Sequence, residues 1–166
     1  MYELSVRDHV MIAHSLPDPF FGPAAGLHGA TFVVEVTWTR PDLDEHGVVI
    51  DIGEASSRLA EVLGDLNYRN LDEHPAFAGR FSTTEAVAGH ISERLLATMD
   101  LTGFTALAVT LREHPDAWAG DAGGALGAAL AGYHLFHGKP REVPAKGDAM
   151  RGSYLGPEFS QAEIEA

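Results

Sequence analysis

The sequence predicts one α+β domain, an antiparallel sheet carrying two helices on one face, followed by a C-terminal extension. Three observations predict it. Residues 2–12 and 29–40 alternate apolar and polar side chains with the period of half-buried strands. Residues 59–66 and 87–99 repeat apolar side chains at the three-to-four spacing of amphipathic helices. A third alternating run, Thr105 to Glu113, follows both helical stretches.

In the first strand Leu4, Val6, Val10 and Ile12 alternate with Glu3, Ser5, Arg7 and His9, and His14 ends the apolar row. Residues 15–26 hold Pro17, Pro19, Gly22, Pro23 and Gly26, too many breakers for a regular element, and read as a long loop. The second strand puts Phe32, Val34, Val36 and Trp38 on one face and Thr31, Val33, Glu35 and Thr37 on the other, with His28 and Ala30 extending the first row. After a turn at Asp42 to Gly47, Val48 to Ile52 reads as a short apolar strand, and Leu59, Val62, Leu63 and Leu66 then mark the first helix.

Ser82 stands three residues before Glu85, the spacing of a capping box, and opens a second helix with Val87, Ala88, Ile91, Leu95 and Met99 as its buried stripe. The last strand aligns Leu107, Val109, Leu111 and Glu113 on one face. From Pro115 the chain is rich in Ala and Gly, reads as a weak helix to about His137, and ends in a tail containing Pro and Gly. No internal repeat or second core is visible, so the domain is placed at residues 1–119 and the extension at 120–166. A sheet this small leaves open edges, which neighbouring subunits are expected to close.

With 11 Lys and Arg against 24 Asp and Glu, a formal net charge of −13 and no basic run, the chain does not suit nucleic acid or an anionic membrane. Cysteine is absent, which removes disulfides, thiolate ligands and thiol nucleophiles, so chemistry falls to His, carboxylate, hydroxyl or a bound ion. The first ten residues carry Glu3, Arg7 and Asp8, and no run of about 18 apolar residues occurs; the expectation is a soluble, cytoplasmic protein.

A few residues carry chemical options. His14 and His28, at the ends of matching strand rows, are either metal ligands or plain polar residues at strand ends. Thr83, Thr84 and Glu85 precede a helical stripe, where hydroxyls cap a helix and free N–H groups bind ligands. Glu113 can accept two parallel N–H bonds from an amino-pyrimidine edge, or stand in water beside Arg112.

His14-Ser15-Leu16, Leu27-His28-Gly29, Gly47-Val48-Val49-Ile50-Asp51, Arg69-Asn70-Leu71, Ser82-Thr83-Thr84-Glu85 and Leu111-Arg112-Glu113 come in the order and spacing of one family. Over about residues 3–119 the chain resembles the 6-pyruvoyltetrahydropterin synthase and 6-carboxytetrahydropterin synthase family, as a divergent member. The resemblance implies the tunnelling fold, or T-fold, with ring-shaped homo-oligomers, usually hexamers, and sites between subunits. It implies lyase-type chemistry on a pterin or related heterocycle, with Thr83, Thr84, Glu85 and a buried Glu113 holding the ring. It also implies zinc on three His, here reading His14, His28 and Ala30, so that the site is one ligand short. Asp18, His74, His114, His134 and His137 are candidates for the missing ligand.

The family's catalytic Cys falls on Ala24 and its Asp-His dyad on Asn67 and Tyr68, so its usual proton relay is absent. Tyr68 keeps a hydroxyl able to donate or pass a proton, or is an aromatic packing residue. Three readings follow: an enzyme of altered chemistry, a non-catalytic oligomeric pterin- or purine-binding protein, or a T-fold enzyme repurposed for another biosynthetic intermediate.

Overall fold

The structure is a computed structural model and describes residues 1–114 and 116–121. Two long strands, β1 (Tyr2–His14) and β2 (His28–Arg40), form its centre. Helix α1 (Ile52–Leu66), the two-residue strand β3 (Arg69–Asn70), helix α2 (Thr84–Thr98), and strands β4 (Ala106–His114) and β5 (Ala117–Asp121) follow. Single turns of 3-10 helix occupy Leu71–Glu73 and Pro75–Phe77, and a kinked pair spans Pro19–Ala25. The sheet order is β3-β1-β2-β4-β5, antiparallel except for the short parallel pairing of β3 with β1.

Alternation along the strands builds the core. Val10 and Ile12 of β1, Phe32, Val34, Val36 and Trp38 of β2, and Leu107, Val109 and Leu111 of β4 lie on one sheet face. Leu59, Val62, Leu63 and Leu66 of α1 and Val87, Ala88, Ile91 and Leu95 of α2 join the same cluster, so both helices cover that face, as expected. Each such Val, Leu, Ile or Phe side chain taken fully from water stabilises the fold by about 1.5–3 kcal/mol before entropy is counted.

Three expectations are corrected. Val48 to Ile52 is not a strand: the Asp51 carboxylate accepts from Glu54 N at 2.8 Å and caps α1, drawing Ile52 into the helix. Val49 and Ile50 remain buried as a plug beneath the sheet. The cap of α2 is Thr83, whose hydroxyl accepts from Ala86 N at 3.3 Å, because Ser82 is committed to His14. Ala117–Asp121 is an edge strand on β4 and not the start of a helix; its pairing, with a register shift between Arg112 and His114, outweighs the helix propensity of its alanines. The remainder of the expected weak helix and tail lies outside the described residues.

Candidate functional site

The site begins with the β1–β2 ladder. Its antiparallel register pairs Tyr2 with Arg40 and continues without interruption to His14 opposite His28. Directly opposed residues put their side chains on the same face, so the two imidazoles meet, with ring centroids 4.6 Å apart. Strand pairing alone therefore explains their convergence.

Both rings are oriented by their neighbours. His14 Nδ1 lies 2.9 Å from the Ser82 carbonyl oxygen and 3.1 Å from its hydroxyl, and His28 Nδ1 lies 2.8 Å from the Gly26 carbonyl oxygen. A carbonyl only accepts, so each Nδ1 carries the proton and each Nε2 keeps a lone pair. His14 is 2% exposed, and its Nε2 is buried with no hydrogen-bond partner among the described residues. Burial lowers the His14 pKa below the ordinary 6.5, with His28 pushing the same way, while the Ser82 carbonyl, Glu113 and Asp72 oppose. The net result is a neutral imidazole, the form that binds metals.

Glu113, near the end of β4, completes the group: one ligating atom each from His14, His28 and Glu113 lie within 4.8 Å of one another. This group could hold a metal ion. The donor set and the orphaned Nε2 of His14 fit such an ion, and a metal-binding His that gives its other N–H to a carbonyl is the usual outer-shell arrangement. Glu113 is exposed in the described chain, in contrast to the expected burial. Its Oε2 accepts the Thr84 hydroxyl proton at 3.0 Å, tying β4 to the N-terminal turn of α2.

The other candidates fall elsewhere. Thr83 is occupied as the helix cap, and Glu85 is exposed in the first turn of α2, where an acid suits the helix dipole. Asp18 caps the 3-10 turn at Phe20 N, His74 caps Ala76 N and pairs with Asp65, and His114 pairs with Asp116; none of them joins His14 and His28. The residue that stands within 4.8 Å of both imidazoles is Glu113, while Ala30 offers no ligand atom. His134 and His137 lie outside the described residues.

Ala24, Asn67 and Tyr68, the positions to which the resemblance assigns the relay, make backbone and scaffold contacts. Ala24 accepts Leu16 N at 3.0 Å through its carbonyl, and the Asn67 side chain accepts Met11 N at 3.0 Å, fastening the end of α1 to β1. Tyr68 is 77% exposed and adopts φ 58, a left-handed conformation that costs a non-glycine residue energy. It lines a different hollow, of about 490 Å³, with Asp65, Arg69, Glu73 and His74. Two supporting residues escaped the sequence reading. Ser82 looked like a helix cap, and Asp72, which takes Ser15 N at 2.9 Å and Ser15 Oγ at 2.7 Å, sits in no local pattern.

A corner of two oriented imidazoles, a carboxylate and a threonine at a helix start is the geometry to compare with known proteins. The profile of the 6-pyruvoyl tetrahydropterin synthase family matches residues 3–121. The chain belongs to that family. A 6-carboxy-5,6,7,8-tetrahydropterin synthase of Bacillus subtilis is 28% identical over 123 residues, covering 70% of this chain and 82% of that protein. The structure of the Caenorhabditis elegans 6-pyruvoyl tetrahydropterin synthase superposes with a TM-score of 0.65 at 26% identity, over 74% of this chain and 95% of that one. An uncharacterized Synechocystis protein is 60% identical over 47 residues, 28% of this chain, but the chain spans only 8% of that protein's length.

The T-fold and membership of the pterin synthase family are thus established, and they support a pterin synthase-like function of lyase type. No helix among the described residues is long and apolar enough to cross a membrane.

Proposed function

We propose that this protein is a pterin synthase-type lyase of altered chemistry, acting on a pterin or related heterocycle where β1, β2 and β4 meet the start of α2. The observation that carries the reading is the His14–His28–Glu113 group joined through Thr84 to the helix N-terminus. His14 and His28 would hold zinc through Nε2, their Nδ1 protons being fixed on carbonyls and the Nε2 of His14 having no partner among the described residues. Bound there, zinc supplies a Lewis acid for a substrate oxygen or lowers the pKa of a bound water.

The ring lies at the α2 N-terminus, where Thr83, Thr84 and Glu85 bring hydroxyls, a carboxylate and unpaired N–H groups together. In the metal-free protein the Glu113 carboxylate accepts N–H bonds from the amino-pyrimidine edge. Tyr68, on an exposed edge, serves the corner of a neighbouring subunit in a homo-oligomer, a hexamer by family resemblance, and offers its hydroxyl as proton donor. Ala24 and Asn67 carry no group able to shuttle protons at neutral pH, so the family's standard elimination or side-chain cleavage of dihydroneopterin triphosphate is not performed.

Incubation with dihydroneopterin triphosphate and calorimetric titration with pterin test this together. The expected result is pterin binding without either standard product; turnover at about 1 s⁻¹ or more overturns the altered chemistry, and absence of pterin binding overturns the substrate class. The retained Thr84–Glu113 contact beside Ala24 and Asn67 favours one second reading, a non-catalytic oligomeric pterin-binding protein. Mass-spectrometric detection of any product from pterin substrates excludes it.

A further inference from the structure

Ala30 lies two residues along β2 from His28, so the two share a strand face, and Ala30 pairs across the ladder with Ile12. A methyl group there offers no lone pair. The donor that does reach both imidazoles comes from a different strand, with a Glu113 oxygen inside the 4.8 Å group. Zinc bonds of about 2.1 Å in tetrahedral geometry place ligand atoms about 3.4 Å apart, so from separations within 4.8 Å closing the set needs a displacement of at most about 1.4 Å. An exposed glutamate at a strand end, with rotatable χ angles, can supply it. The Nε2 of His14, buried and without a hydrogen-bond partner among the described residues, is a second observation that points to a ligand at this group.

We propose that Glu113 is the third protein ligand of a divalent metal at His14 and His28, standing in for the donor that Ala30 cannot supply. This deepens the metal reading above and rests on it. Thr84, donating to Glu113 Oε2 at 3.0 Å, acts as its positioning residue in the outer shell. Two imidazoles and one carboxylate leave a fourth position open to water or substrate, the arrangement of catalytic zinc sites. An anionic ligand in place of an imidazole also reduces the charge of the loaded centre by one unit, and a mixed nitrogen and oxygen set accepts first-row divalent ions besides zinc. While the metal is bound, Glu113 is engaged by it, and recognition of the ring falls to Glu85 and the α2 N-terminus.

The test uses the full chain stripped of metal by chelation, titrated with zinc in a calorimeter and with cobalt(II) by visible absorption. Wild type, His14→Ala, Glu113→Ala, Glu113→Gln and the double variant Glu113→Ala with Ala30→His are compared, with circular dichroism to confirm folding. Both Glu113 replacements are expected to weaken zinc at least about tenfold and to alter the cobalt spectrum, His14→Ala to weaken it further, and Ala30→His to recover most of the loss in the Glu113→Ala background. Wild-type zinc affinity in both Glu113 variants overturns the assignment. If His14→Ala then loses zinc while those variants keep it, the metal reading stands without Glu113; if wild type binds no zinc, or no single variant weakens it, both fail. Pterin titrated into the metal-free protein reports ring recognition separately from either outcome.

Discussion

Two histidine pairs in this molecule look alike and behave differently. His14 and His28 meet at the end of the β1–β2 ladder, and His74 and His90 meet beside Phe77, with ring centroids 4.6 and 5.9 Å apart. Each pair contains a buried His whose Nε2 has no partner among the described residues and whose pKa is lowered chiefly by burial. In the first pair both Nδ1 atoms are tied to carbonyls, and a carboxylate stands within ligand range. In the second, His74 spends Nδ1 on Ala76 N–H and faces Asp65 with Nε2 at 3.4 Å, leaving no lone pair to share. The difference shows that two imidazoles both oriented by carbonyls beside a carboxylate, and not the number of imidazoles or one partnerless nitrogen, separate a binding corner from a packing one.

The largest effect that sharpens this contrast falls on the packing corner. Phe77 is 3% exposed and its ring lies against both His74 and His90, so Phe77→Ala should cost about 3–5 kcal/mol in urea unfolding while zinc affinity per folded molecule stays unchanged. Next comes the metal: His28→Ala should weaken zinc by about 100-fold or more, and His74→Ala by less than about twofold, in the same calorimetric titration. Equal losses in the two variants erase the distinction between the corners.

Ring binding is the third. In metal-free protein Glu113→Ala should weaken pterin by about 1.5–3 kcal/mol, because the ligand's N–H donors lose their acceptor. Unchanged binding removes Glu113 from the ring.

Acid gives the smallest and most gradual effect. The lowered pKa values of His14 and His90 mean that the unfolded chain takes up protons first as pH falls. Stability is fully present above the ordinary His value of 6.5 and declines as pH drops through the lower folded values. Excess zinc should protect the His14 share only, so urea midpoints measured between pH 7.5 and 5.5 with and without about 0.1 mM zinc separate the two corners. A zinc effect that survives His14→Ala places the protection elsewhere.

Much of the frame was legible in the sequence because it is periodic. The alternation of Phe32, Val34, Val36 and Trp38 and the stripe of Leu59, Val62, Leu63 and Leu66 reappear as buried faces of β2 and α1. The family motifs led to His14, His28, Thr84 and Glu113, which the fold brings together. Failures came where a short segment obeys its tertiary surroundings. Val49 and Ile50 are apolar because they plug the core, a reason that period-2 counting cannot distinguish from strand pairing. The two-residue strand β3 exists only because Asn67 and Tyr68 bond to Met11, and Ser82 was unreadable as a histidine's partner because the two lie 68 residues apart.

The long β1–β2 pairing has one more consequence. Thirteen residues of β1 face thirteen of β2, and the imidazoles sit on the final rung. A slip of one residue would turn His28 to the opposite side of the sheet; a slip of two would keep the side but carry the rings about 7 Å apart along the strand axis. An ion held at that rung is thus a lock that fits one alignment of the hairpin. Misaligned hairpins gain nothing from it, so added metal should raise the yield of correctly zipped chains during refolding as well as their final stability.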